Sequence, residues 1–195
     1  MTGKLRIFTI GHSTLSPSDF LELLTKNKIE VLVDVRSMPY SKIAPQFNKE
    51  MLKSLLTKNN VRYGYMGDLL GARHTETDVL TDNGQVDFKK VANLPSFKQG
   101  ISRLIKGMEK YRIALMCSER DPMTCHRFGL ISKVLTDNNV EVLHITTDRV
   151  IPEKELEDKL IKIYYKQIDC FFSAESPREQ AFRLLNKKIG YEHEE

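Results

Sequence analysis

The sequence predicts an α/β fold with a mainly parallel sheet, and three observations carry that expectation. Short apolar runs alternate five times with longer segments whose apolar residues recur at helical spacing. The runs are compact and unbroken, as fully buried strands are. The reactive residues follow the runs rather than interrupt them, and in open α/β sheets ligands sit beyond the carboxyl ends of strands. The expected architecture is three-layered: a mainly parallel, five-stranded sheet flanked by helices, Rossmann-like, with a helical C-terminal extension. On this reading residues 1–150 are a single α/β domain, and 151–195 are the extension packed on it.

Taken in order, Leu5–Ile10 is the first strand and Gly11-His-Ser-Thr-Leu15 its exit loop. Ser16-Pro17 starts a helix, because serine caps and proline fits the first turn. Phe20, Leu21, Leu23 and Leu24 give that helix its apolar face. Val31–Val35 is the second strand, and Arg36-Ser-Met-Pro-Tyr40 opens a long loop. Asn48 is the expected cap of a helix bearing Met51, Leu52, Leu55 and Leu56. Val61–Met66 reads as a third strand, interrupted by Gly64. Residues 67–95 have no clean period, and a loop of that length in a compact domain is usually functional or mobile. Ser96 is the expected cap of the next helix. Ile113–Met116 is the fourth strand, and Phe128–Leu135 has helical spacing. Val140–Ile145 is the fifth strand. Pro152 opens a helix through Tyr165, and a last helix runs from Ser176-Pro177 to about Lys188. That last helix has apolar and basic faces, which suits docking on the domain first, and a dimer or polyanion contact second.

The 195 residues are enough for a real core, and 41% hydrophobic with 29% charged residues is an ordinary globular balance. No apolar run approaches the roughly 20 residues of a membrane helix, so no membrane partner is expected. The N-terminus lacks a signal-peptide pattern, and a cytoplasmic protein is the expectation. Three cysteines are too few for a disulfide framework. A net charge of +4 and a pI near 8.9 permit an anionic small molecule or nucleic acid as partner without demanding either. A homodimer is left open. No cofactor is expected.

The richest stretch is Cys117-Ser-Glu-Arg-Asp-Pro-Met-Thr-Cys-His-Arg127, between the fourth strand and a helix start that offers free backbone N–H groups to an anion. If the strand order is 3-2-1-4-5, the exits of strands one, two and four lie side by side and their loops build one site.

These loops also carry a resemblance. Thr9-Ile-Gly-His-Ser13, Val33-Asp-Val-Arg36, Pro45-Gln-Phe-Asn48, Leu70-Gly-Ala-Arg73, Ala114–Glu119 and Cys125-His-Arg127 resemble the family known as domain of unknown function 488. Order and spacing hold from residue 7 to about residue 146. Ala72 departs from the Leu-Gly-Gly-Arg form of relatives. The family implies no reaction, so function rests on the site residues.

Arg36, Arg73 and Arg127 are the expected anion grip, since guanidinium forks suit phosphate and carboxylate. Ser13, Tyr40 and His126 are expected to help bind substrate, with Tyr40, Phe47 and Tyr65 as a stacking wall. Glu119 and Asp34 are the candidate acid/base carboxylates; Asp34 is equally readable as the internal partner of Arg36. His12 is a candidate acid/base or donor. Cys117 is readable as a buried strand residue, a nucleophile, or a metal ligand with Cys125 and His126. Its Cys-x7-Cys-His spacing is not that of a compact zinc finger, and no metal is expected. The nucleophile reading resembles rhodaneses and cysteine phosphatases, but the phosphatases' Cys-x5-Arg form fails here, where Met123 stands six residues on. The leading functional expectation is an enzyme, a hydrolase, that cleaves a glycosidic or phosphoester bond of a nucleotide-like or nucleic-acid-like anion. The alternatives are a thiol enzyme using Cys117 and a non-enzymatic nucleic-acid-binding module.

Overall fold

A computed structural model describes residues 4–192. Six strands form one sheet: β1 (Arg6–Gly11), β2 (Val31–Asp34), β3 (Arg62–Tyr65), β4 (Ile113–Cys117), β5 (Glu141–Ile145) and β6 (Val150–Pro152). Their order is β3-β2-β4-β1-β5-β6. The first five are parallel, and β6 runs antiparallel to β5. The sheet is therefore mixed and six-stranded, not five-stranded. The sixth strand was hidden because it is short and ends in Pro152, which a sequence reading assigns to a helix start; proline is tolerated on an edge. A tight turn makes the edge pairing, with Thr146 accepting from Arg149 N through Oγ1 and donating its own N–H to the Arg149 carbonyl at 3.0 Å.

The order 3-2-1-4-5 is also overturned. β4 lies between β2 and β1, so its exit loop occupies the middle of the sheet. The pleat sorts its residues: Ile113, Leu115 and Cys117 join the core on one face, Ala114 and Met116 the core on the other.

Helices cover both faces. α1 (Pro17–Lys26) and α2 (Lys49–Lys58) bury Phe20, Leu24, Leu52 and Leu56 against Phe8, Ile10, Leu32 and Met116. On the opposite face lie α3 (Gly67–Leu70), α4 (Phe88–Val91), α5 (Pro95–Met108) and α6 (Lys133–Asp137), whose Leu70, Phe97, Leu104 and Leu135 pack with Ile7, Val33 and Leu115. α7 (Glu153–Tyr164) and α8 (Pro177–Ile189) close the end of the molecule, meeting Phe128 through Leu156, Leu160 and Phe182. The buried face of α8 in this cluster is Ala181, Phe182 and Leu185.

The expected caps hold at Ser16 and Ser176, whose Oγ atoms accept from Asp19 N and Glu179 N at 3.1 and 3.2 Å. Asn48 stands at the start of α2, but its side chain accepts from Ser41 N instead and ties down the Arg36–Tyr40 loop. α5 begins at Pro95 with Leu94 at the cap, not at Ser96. Residues 67–95 are not a free loop. They contain α3, a 3₁₀ turn at Thr77–Val79 and α4, and they bury Leu70, Val79, Val86, Phe88 and Val91. Asn186 of α8 fastens them, accepting from Phe88 N and donating to the Val86 carbonyl.

Candidate functional site

At the carboxyl end of the sheet, three buried polar groups interlock. Asp34 is fully buried and accepts from Arg36 Nε at 2.9 Å, Arg36 NH2 at 2.6 Å, Arg36 N at 3.1 Å and Tyr63 OH at 2.9 Å. The burial of Tyr63 and the negative charge of Asp34 push its phenol up, so it stays a donor. Arg36 NH2 also donates to the Phe47 carbonyl at 2.8 Å, and NH1 lies 3.2 Å from His12 Nε2. His12 donates from Nδ1 to the Ser13 carbonyl at 2.8 Å, which leaves Nε2 as the acceptor for Arg36. Its ring stacks on Phe47 at 4.5 Å. Burial first, and the charge of Arg36 next, bring the imidazole down to about 4, so it is neutral. Both ring nitrogens of His12 are thus engaged, and all of Asp34's donors are internal.

β1 and β4 keep pairing past their ends, with His12 N donating to the Cys117 carbonyl and Ser13 N to the Ser118 carbonyl. Ser13 turns the chain with a φ of 45°. Gly11 admits the β4 exit loop: a Cβ there would lie 1.8 Å from the Glu119 carbonyl oxygen. Arg127 clamps the same loop from behind, donating NH1 to the Glu119 carbonyl at 2.7 Å and NH2 to the Arg120 carbonyl at 3.0 Å. It is 1% exposed. Its charge serves the loop rather than an open grip.

In front of this layer lies a polar cleft of about 200 Å³. The β2 exit supplies Arg36 and Ser37, the α3 exit Arg73, the β4 exit Cys117 and Glu119, and the following turn Cys125 and His126. Arg73 is exposed; its N donates to Ser37 Oγ at 3.1 Å and its guanidinium lies 5.1 Å from the Tyr191 ring. Ile189 and Tyr191 complete the wall, so the C-terminal segment contributes to the cleft. Glu119 is exposed as a residue, yet partial desolvation and the neighbouring Cys125 raise its carboxyl above the usual range.

On the cleft floor, Cys117 is 4% and Cys125 2% exposed, and neither is in a disulfide. His126 donates from Nε2 to the Val35 carbonyl at 3.2 Å. Its Nδ1 faces both sulfurs, 3.7 Å from Cys117 Sγ and 3.8 Å from Cys125 Sγ. Cys125 Sγ accepts from Arg127 N at 3.4 Å. Burial opposes ionisation of Cys125, but the hydrogen bond from Cys117 and the charge of Arg127 outweigh it; of the two thiols, Cys125 is the acidic one.

The structure therefore divides the residues singled out by sequence. Arg36, Arg73, Cys117, Glu119 and His126 meet at the cleft. Asp34, His12 and Arg127 lie in the layer behind it, and Ser13 is not among its lining residues. Tyr40 is exposed, donates to Glu50 Oε1 at 3.0 Å and is not among the lining residues. Phe47 is buried beneath His12, so no stacking wall forms with Tyr40. Sequence reading underrated Cys125 and missed Tyr63 and Ser37. Cys125 was detectable: it directly precedes a histidine and a helical apolar pattern, where a side chain caps the helix start.

Fold and cleft together define an α/β protein with a polar site at the carboxyl ends of β2 and β4. The chain belongs to the family described as Domain of unknown function DUF488, whose model matches residues 16–135. That span holds the Asp34–Arg36 pair, Arg73 and the whole Cys117–Arg127 loop; β1 with His12 precedes it. Neither the curated proteins nor the solved structures contain a match to the chain.

Proposed function

We propose that this chain is an enzyme that binds a nucleotide-like or nucleic-acid-like anion in the cleft and hydrolyses a glycosidic or phosphoester bond. The observation that carries this reading is the cleft's composition: exposed Arg73 and Glu119 share one polar lining with Arg36, Ser37 and His126. Arg73 is the anion hand, because its fork is exposed and makes no ion pair among the described residues. Arg36 stands behind it, its charge balanced by Asp34. Glu119 is the acid/base group; Asp34, enclosed by four internal donors, is not placed to meet substrate.

The test is a panel of nucleotides, sugar phosphates and short oligonucleotides, scored by melting-temperature shift at low and high salt. A salt-resistant shift with a small anion is expected, lost in Arg73→Ala and kept in Glu119→Gln, which loses turnover. A shift that survives Arg73→Ala unchanged sinks the reading. A shift confined to oligonucleotides, abolished by salt and indifferent to Glu119→Gln, assigns the chain to the binding modules instead.

A thiol mechanism is the second reading, and its support passes from Cys117 to Cys125. The Cys125 sulfur accepts a helix-start N–H beside His126, whereas hydrogen bonding to Cys125 and burial push the Cys117 thiol up. Loss of turnover in Cys125→Ser with binding retained would favour it.

A further inference from the structure

We propose that Cys117, Cys125 and His126 form a zinc site on the floor of the cleft, with its fourth coordination position open to that cleft. This inference does not depend on the hydrolase reading. One ligand atom from each of the three residues lies within 4.8 Å of the others. The set is two sulfurs and one imidazole nitrogen, a borderline-soft donor group suited to zinc rather than to magnesium or calcium.

The distances suit a shared ion. His126 has one lone pair to offer on Nδ1, because Nε2 carries the proton donated to Val35. The two sulfurs stand nearly equidistant from that lone pair, at 3.7 and 3.8 Å, and it can accept from only one of them at a time. A tetrahedral zinc with bonds of about 2.3 Å to sulfur and about 2.0 Å to nitrogen separates S from N by about 3.5 Å. Both sulfurs thus stand, relative to Nδ1, close to where a shared ion would hold them.

The surroundings match a built metal site. Metal-bound histidines almost always donate their other N–H to a carbonyl or carboxylate, as His126 does to Val35. The Arg127 amide donates to Cys125 Sγ, and such N–H···S bonds stabilise a ligating thiolate. Two thiolates balance the double charge of the ion, so its burial leaves no net charge. The protein offers three ligands from the described residues, and all three also line the cleft. Three protein ligands with one open position is the pattern of catalytic zinc, not of structural zinc. The open position takes water or an anionic oxygen of a bound molecule.

The ligands escape the usual spacing rule because they come from two elements. Cys117 ends β4, and Cys125 and His126 start the helix that returns after it. The seven residues between the cysteines are the loop that Arg127 clamps.

The test uses the full chain without a histidine tag, stripped with chelator, reloaded with zinc and analysed for bound metal. One zinc per chain is expected, and cobalt in its place should give thiolate charge-transfer absorption and the visible bands of a tetrahedral centre. Cys125→Ser and His126→Gln should each weaken binding by more than the roughly 10–100-fold that loss of an outer partner costs. Cys170→Ser should bind as the parent does. Should the ligand variants fail to fold, alkylation of the parent protein decides: Cys117 and Cys125 should react faster in the stripped protein than after zinc is restored, with exposed Cys170 reacting equally in both. Less than a tenth of an equivalent of zinc, a cobalt spectrum without the charge-transfer band, or rapid alkylation of Cys125 in zinc-treated protein overturns the proposal. Any of these leaves the Arg73 and Glu119 tests of hydrolysis standing.

Discussion

Asp34 holds Arg36 in a two-pronged ion pair closed to solvent, with Nε on Oδ1 at 2.9 Å and NH2 on Oδ2 at 2.6 Å. The pair is 0% and 3% exposed, so neither charge is relieved by water if the other is removed. Arg36→Ala should destabilise the protein by about 3–5 kcal/mol, measured by urea unfolding, because it strands a buried carboxylate. Arg36→Lys keeps the charge but cannot make the fork and should fall between. Arg36 is therefore a poor probe of ligand binding, and Arg73 the clean one.

Arg127 should prove a stabilising residue rather than a binding one. Arg127→Met removes two charge-assisted hydrogen bonds to the Glu119 and Arg120 carbonyls, each worth about 1.5–3 kcal/mol. A fall in melting temperature with faster amide exchange at residues 119–121 is the expected result. An unchanged melting temperature would refute the clamp.

Gly11→Ala should be among the most damaging single-methyl changes in the chain. The added carbon would meet backbone, at 1.8 and 2.8 Å from the Glu119 carbonyl oxygen and carbon, which cannot turn aside as a side chain does. The expected cost exceeds the about 1–3 kcal/mol of ordinary overpacking. Gly84→Ala, in open space though at a φ of 76°, should cost about 1 kcal/mol.

His12 sets an acid limit. Its folded value of about 4 lies below the 6.5 of a free imidazole, so the unfolded chain binds more protons between those values. Stability is full above about pH 6.5 and is lost as pH falls toward 4, by about 3 kcal/mol at most from this group. His144, held near 3 by burial, acts in the same direction. Unfolding free energy measured from pH 7 to 4 should fall less steeply in His12→Asn than in the parent. Equal slopes would mean that His12 is not the neutral acceptor that Arg36 requires.

Much of this was legible in the sequence. The five parallel strands, the helix starts at Ser16 and Ser176 and the gathering of reactive residues at strand ends follow from periodicity and capping chemistry. Strand order was not legible, because helical crossovers of similar length allow several orders; the guess placed β1 in the centre where β4 stands. The division between Arg73 and Arg127 was hidden for a related reason. Both are arginines in polar loops, and only the packing shows one exposed and the other 1% exposed. Ile189 and Tyr191 lay outside any local signal, brought to the cleft by the docking of α8.

The helix that follows Cys125 and His126 opens as a π-helix over Arg127–Ser132 before becoming α6. A π turn carries one residue more than an α turn, and one α-helical residue is about 100° of rotation. Deleting a residue between 128 and 132 would restore an even helix and put its two ends out of phase with their neighbours. With Leu135 kept on the sheet, the Cys125–His126 pair would swing away from Cys117. The surplus residue is thus an angular offset, letting a single helix point one end at chemistry and the other at the core.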